Sequence, residues 1–297
     1  MNDTPPQYPD VGPPPSPNPA GYVRALLRLA GALTFSVACA ALALLIAPVG
    51  WVAPGCARSI QRGLSRRWMR GVLWFTGTRI VIQGAPPKAP YLFVFNHPCW
   101  LDFFVFTTVL PDARFVAEAP LRTAPIAGIL VRGLNPLFVK RTQEDTARII
   151  ADVTGALRAG DSVAFAPETP VFEVPRGTVV RQFRAALFEA AIQAGMPVSC
   201  GSVTYRTPAG CPSAFKAVIF HTAAIYRPAG SDMPDANLES YGADKIRDFF
   251  RYLVGLLALP HHEAAVTFAE TAVTAEDRIA LANRAHDAVA AIFVPME

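Results

Sequence analysis

From Gly77 onward, short apolar runs rich in β-branched and aromatic residues alternate with longer runs of helical period. Arg79–Gln83, Tyr91–Phe95, Ala113–Ala117, Leu137–Lys140, Ser162–Ala166, Val198–Tyr205, Ala217–Phe220 and Ala264–Phe268 read as strands. Leu101–Val109, Thr142–Ala159, Arg184–Ala194, Lys245–Leu257 and Ala275–Phe293 read as helices, the second opening on a capping-box-like Thr142 and Asp145 and closing at Gly160. Strands separated by helices predict an α/β domain over 77–297, a mixed central β-sheet covered by helices.

Upstream the pattern changes. Residues 1–21 are rich in proline, with little that can pack, and read as a disordered tail. Leu29 to Ala47 carry no charge, and as a helix would measure roughly 28 Å, close to the roughly 30 Å hydrocarbon thickness of a bilayer. Such a helix can just span; lying partly within one leaflet is the alternative. A cleaved signal peptide has a similar form, but here the charged start lies behind the Pro-rich tail. Arg58, Arg62, Arg66 and Arg70 then recur at every fourth position, as do Ile60, Leu64, Trp68 and Val72, and on a helix the two rows lie roughly 200° apart. This predicts a helix lying in the membrane interface, apolar row down and guanidinium groups at the phosphates; a core helix with a solvated face is the plainer alternative. Residues 22–76 are thus expected to be a membrane-anchoring hydrophobic helix followed by a basic amphipathic helix.

Charge sharpens that picture. No acidic residue occurs between Asp10 and Asp102, while the arginines above, with Arg24, Arg28, Arg67, Arg79 and Lys88, make the segment strongly basic. Anionic lipid attracts such a segment by about 1 kcal/mol per Lys or Arg near the surface. Following positive-inside logic, the domain after it is placed on the cytoplasmic face, as for a bacterial-type inner membrane. No basic and aromatic platform points to nucleic acid. The cysteines, Cys39, Cys56, Cys99, Cys200 and Cys211, are odd in number and scattered, which fits a reducing compartment. His261, His262 and His286 lack ligand spacing, so no metal is expected. There is no Gly-x-Ser-x-Gly elbow and no Walker or Rossmann glycine loop.

Candidate chemistry concentrates at Asn96-His97-Pro98-Cys99-Trp100-Leu101-Asp102, where an apolar strand gives way to an apolar helix. Pro98 suits the first turn of that helix, which puts His97 at the strand's exit and Asp102 in the helix's opening turns. An imidazole can take a proton from an alcohol at neutral pH, and a carboxylate on its other nitrogen fixes the tautomer and stabilises the imidazolium.

This junction and the segments downstream of it resemble the 1-acylglycerol-3-phosphate acyltransferase family and its lysophospholipid and lyso-ornithine lipid relatives. Asn96, His97 and Asp102 match the family's Asn-His-x4-Asp motif, and Gly133 to Arg141 looks like the second motif, a glycine and an apolar strand ending in arginine. Phe165-Ala166-Pro167-Glu168-Thr169-Pro170 matches the third, Phe-Pro-Glu-Gly-Thr, only in part; Phe183-Arg184 and Met196-Pro197-Val198-Ser199-Cys200 resemble the later elements. The resemblance implies His97 as general base and Asp102 as its orienting partner. It further implies Arg141 and Glu168 as acceptor-binding groups, with Asn96, Thr169 and Arg184 as further substrate-binding positions. The co-substrate implied is acyl-CoA or acyl carrier protein, the acceptor a lysolipid, and no cofactor is called for. Thr169 in place of glycine, with no arginine directly after it, departs from the pattern. Arg176, Arg181 and Arg184 stand nearby, and a non-phosphatidate acceptor such as a lyso-ornithine lipid would fit that departure. A catalytically weak lipid-binding protein and a thioester hydrolase using the same pair are the competing classes.

Overall fold

A Leu-Phe-Val-Phe run has no polar face to turn toward water, and strand β2 (Leu92–Phe95) is buried along its whole length. In this computed structural model, which describes residues 17–140, 142–168, 179–207, 250–251 and 253–295, it occupies the middle of a seven-stranded sheet. The other strands are β1 (Thr78–Gln83), β3 (Ala113–Glu118), β4 (Leu137–Val139), β5 (Ser162–Phe165), β6 (Val198–Arg206) and β7 (His262–Phe268), in the order β1-β7-β6-β2-β5-β3-β4. Neighbours run parallel except β6 and β7. The sheet is therefore mixed, as the sequence predicts.

Period-2 alternation sorts the core into two layers. Phe93 and Phe95 of β2 face one way with Val203 and Tyr205 of β6, onto Val105 and Phe106 of helix α4 (Asp102–Val109). Leu92 and Val94 face the other, under α6 (Gln143–Arg158), α7 (Glu189–Ala194) and α8 (Arg278–Ile292). The expected strands fall within one or two residues of the observed ones, apart from Ala217–Phe220, which lies outside the described residues, as do 1–16 and 245–249. The expected helix Arg184–Ala194 begins later, as a 3-10 turn at Ala186–Phe188 that runs into α7.

The N-terminal segment departs further from expectation. Helix α1 (Pro19–Ile46) starts inside the expected tail, where Asn18 Oδ1 caps the Gly21 N–H at 2.8 Å and Pro19 takes the first position. Together with α2 (Val49–Val52), it makes a stretch long and apolar enough to cross a membrane. One side of α1 is packed: Cys39, Ala40 and Ala43 meet Leu64, Trp68 and Val72 of α3 (Pro54–Thr76), and Trp68 Nε1 donates to Ser36 Oγ at 2.9 Å. The row Leu64, Trp68 and Val72, expected to lie in lipid, is buried inside the protein, because α1 and the 130–134 segment cover it first. Arg24 and Arg28, counted above among the charges that draw the segment to anionic lipid, bind the carbonyls that close the helical segment at 253–258. Arg24 reaches Ala258 at 2.7 Å, and Arg28 reaches Leu257, Leu259 and Pro260 at 3.0, 2.6 and 2.8 Å. Cations at a helix C-terminus satisfy its orphan carbonyls and oppose its dipole.

Gly133, which opens the second sequence motif, sits in a 3-10 turn (Arg132–Leu134) that follows the short helix α5 (Ala127–Val131) and is pressed against α3. A Cβ there would lie 2.2 Å from Ser65 Oγ and 2.7 Å from the Gln61 carbonyl oxygen. Ser65 cannot yield freely, since its hydroxyl is held by Leu130 and Gln61 carbonyls at 2.6 and 2.8 Å. Gly133→Ala is expected to lower stability by about 1–3 kcal/mol, read as a fall in thermal midpoint against the unaltered protein.

Candidate active site

Parallel neighbours end on the same edge of a sheet, so β2 and β5 deliver the residues just beyond them, His97 and Glu168, to one mouth. Ligands of open α/β sheets bind at such carboxyl edges. Strand β6 runs beside β2 and continues past it, since Gly201 pairs with Phe95 while β6 extends to Arg206. Its last residues therefore flank the loop that carries His97.

That loop is held rigidly. Asn96 donates through Nδ2 to the Val203 carbonyl at 2.9 Å, and its Oδ1 accepts from the Val203 N–H at 2.7 Å. The buried Asn96 side chain thus continues the β2–β6 ladder by one rung and fixes the exit direction of the chain. Helix α4 begins at Asp102 rather than at Pro98. Helical side chains point back toward the helix N-terminus, and Asp102 does so, closing the five-residue gap. Its Oδ2 lies 2.8 Å from His97 Nδ1 and accepts from the Cys99 N–H at 2.9 Å; its Oδ1 accepts from the Tyr205 hydroxyl at 2.6 Å. Asp102 is fully buried, whereas the His97 side chain is 40% exposed. With Nδ1 engaged by the carboxylate, Nε2 is the ring nitrogen that could take a proton from an alcohol. This is the arrangement of an orienting acid behind a general base.

Glu168 is not open to solvent. Its side chain is 4% exposed and Arg181 is 5% exposed, with Nη2 and Nε of the arginine at 2.5 and 2.9 Å from Oε2. Arg181 Nη2 also reaches the His97 carbonyl at 3.4 Å, so one guanidinium joins the segments after β2 and β5. Glu168 further forms an isolated antiparallel bridge with Phe183, and the Arg184 N–H donates to Pro167 at 2.8 Å. Arg184 itself is exposed. Arg141 and Thr169 lie outside the described residues.

Two contributors carry no mark in the sequence. Tyr205 sits on a strand whose alternation explains its burial without reference to chemistry. Arg181 is one of three nearby arginines, with nothing in its spacing to set it apart. The Tyr205 phenol is pushed well above its ordinary range by burial, with the Asp102 charge adding to it, so the hydroxyl keeps its proton and donates. His262, with Nε2 2.8 Å from Thr78 Oγ1, is lowered to about 3 by burial, with Arg28 and His261 adding, and stays neutral as a structural residue. Among the described residues no cluster of His, Cys, Asp and Glu could hold a metal ion.

Residues 79–203 match the Acyltransferase family model. Over 155 residues the chain is 27% identical to a lyso-ornithine lipid O-acyltransferase of Pseudomonas aeruginosa, covering 52% of this chain and 58% of that one. Over 159 residues it is 30% identical to a 1-acyl-sn-glycerol-3-phosphate acyltransferase of Neisseria meningitidis serogroup B, covering 52% and 60%. The fold also matches the crystal structure of the 1-acyl-sn-glycerophosphate (LPA) acyltransferase PlsC from Thermotoga maritima, with a TM-score of 0.55 and 16% identity over 90% of this chain and 96% of that one. The chain spans 58–60% of the length of the two curated relatives above. As delimited, the Acyltransferase match runs from β1 into β6 and contains His97, Asp102, Glu168 and Arg181, while Tyr205 lies just beyond it.

Proposed function

We propose that the protein transfers a fatty acyl group from a thioester donor, acyl-CoA or acyl carrier protein, to the free hydroxyl of a lysolipid. The single observation that carries this reading is the 2.8 Å contact between His97 Nδ1 and a fully buried Asp102, inside the segment 79–203 that matches the Acyltransferase family model. His97 Nε2 removes the acceptor's hydroxyl proton as the oxygen attacks the thioester carbonyl. Asp102 stabilises the imidazolium so formed. Collapse of the tetrahedral intermediate breaks the carbon–sulfur bond, and the leaving thiolate takes the proton from His97. The ester and a free thiol result, and no other reactant is consumed.

The acceptor is of the lysophosphatidate type. A lyso-ornithine lipid is the second reading, favoured by relatives of that name in Pseudomonas aeruginosa and Rhizobium meliloti and by the altered third motif at Glu168-Thr169. Arg141, Thr169 and Arg184 bind the acceptor, Glu168 shapes that site through its enclosed ion pair with Arg181, and Asn96 acts through the position of the loop.

Helix α1 lies in one leaflet rather than across the bilayer. Its N-terminal part is hydrogen-bonded to the 257–260 carbonyls and its remainder is packed on α3, while Leu26, Leu27, Leu45, Trp51 and Val52 are left exposed for lipid. The outward arginines Arg58, Arg62 and Arg70 of α3 meet head groups, with the domain on the cytoplasmic face of a bacterial-type inner membrane.

Incubating the purified full chain with acyl-CoA or acyl carrier protein thioesters and a panel of lysophosphatidate, lyso-ornithine lipid and other lysolipids tests the proposal by mass spectrometry. A diacylated product from one acceptor class is expected. Free fatty acid formed without any acylated acceptor would instead support the hydrolase class.

A further inference from the structure

We infer that Tyr205 is a positioning residue for the His97–Asp102 pair, and that its hydroxyl tunes how strongly Asp102 holds the imidazolium. The inference rests on the acyl-transfer reading above.

A buried phenol needs a hydrogen-bond partner somewhere, and a backbone carbonyl would serve. Here the hydroxyl, on a side chain 1% exposed, goes instead at 2.6 Å to a carboxylate oxygen that is wholly enclosed. The division of labour at Asp102 is specific. Oδ2 is shared by His97 Nδ1 and the Cys99 N–H, and Oδ1 is taken by Tyr205. The carboxylate is thus fixed from both sides, by the loop of β2 through Cys99 and by β6 through Tyr205. Its plane cannot rotate without breaking one of the two.

Register explains why this tyrosine arrives there. Asn96 locks Val203 beside the His97 loop, and Tyr205, two residues on, points to the same face of β6 as Val203, toward the start of α4. The ring packs in the aromatic layer of that face, with its centroid 6.4 Å from the neutral His262 ring. Other charged or titratable groups around the pair are the Cys99 thiol and, through the His97 carbonyl, the Arg181–Glu168 ion pair.

A hydrogen bond donated to a carboxylate spreads its charge and weakens its hold on the imidazolium opposite. Without the hydroxyl, Asp102 would grip the protonated ring harder, and the base would regain its neutral form only at higher pH. The ring would also lose part of its orientation.

Steady-state kinetics of Tyr205→Phe across pH, with the full chain and the acceptor identified by the panel, test this. The expected result is a kcat about 10-fold lower with KM within about 2-fold, and an acid limb displaced upward by about half a pH unit or more. If Tyr205→Phe fails to fold, 3-fluorotyrosine incorporated at 205, a near-isosteric and stronger donor, is expected to displace the acid limb downward. Unchanged kcat and an unmoved acid limb in Tyr205→Phe overturn the assignment, as does an unmoved limb in the fluorinated protein. An unaltered protein that transfers no acyl group would instead overturn the underlying functional reading, so the two failures are distinct.

Discussion

Replacing His97 by glutamine is expected to lower kcat for acyl transfer by about 10²- to 10⁴-fold, the usual contribution of general base catalysis, while leaving the protein folded. Both halves follow from the geometry. The imidazole is the one partner of Asp102 whose removal deletes a base, since the Cys99 N–H and Tyr205 hydroxyl only donate. Those two donors remain after the substitution, so the enclosed carboxylate is not stranded. The His97 side chain, 40% exposed, leaves little cavity behind. Thiol release at saturating acceptor measures the first half and thermal unfolding followed by circular dichroism the second. Full turnover in His97→Gln would remove the imidazole from the mechanism.

The second large effect is on stability. Arg181→Met is expected to destabilise the protein by about 3–5 kcal/mol, because it leaves the Glu168 carboxylate buried without its countercharge. Both side chains are almost wholly enclosed, at 5% and 4% exposure, so solvent cannot screen or replace the lost partner. The same guanidinium touches the His97 carbonyl, which would loosen the loop after β2 as well. The double variant Arg181→Met/Glu168→Met removes both charges together, and most of the lost stability should return, since apolar replacement of a buried ion pair is often close to neutral. Activity should not return with it, because Glu168 belongs to the proposed acceptor site. Denaturant unfolding of the wild-type, single and double variants forms the cycle. An Arg181→Met protein as stable as the wild type would mean that Glu168 is solvated and unpaired in solution.

The sheet and the His97–Asp102 junction were legible in the chain for a common reason. Alternation and β-rich runs report local preference directly, and the core of this sheet follows them closely, from Arg79 to Phe268. The pair at His97 stands where an apolar strand turns into an apolar helix, so its polar residues are conspicuous. The row Leu64, Trp68 and Val72 was legible as an apolar face, but periodicity does not say what covers a face. Here it is α1, held there by Trp68 to Ser36 and by the small residues Ala40 and Ala43. Arg24 and Arg28 carry the same difficulty: a charge next to an apolar helix suits lipid phosphates and helix-terminal carbonyls equally well. Tyr205 and Arg181 depend on register between strands far apart in sequence. No local pattern marks which residue of β6 will meet Asp102, or which of three arginines will reach Glu168.

In the proposed reaction one acyl group leaves a thiol and arrives on a lysolipid hydroxyl without passing to water. Supplying an acyl thioester with an isotope-labelled chain and the preferred lysolipid, and counting labelled ester, labelled free acid and released thiol in the same reaction, measures this directly. Ester and thiol are expected in equal amounts with little free acid, and both are expected to fall away in His97→Gln. Thiol release matched by free fatty acid, with no labelled ester, would contradict it.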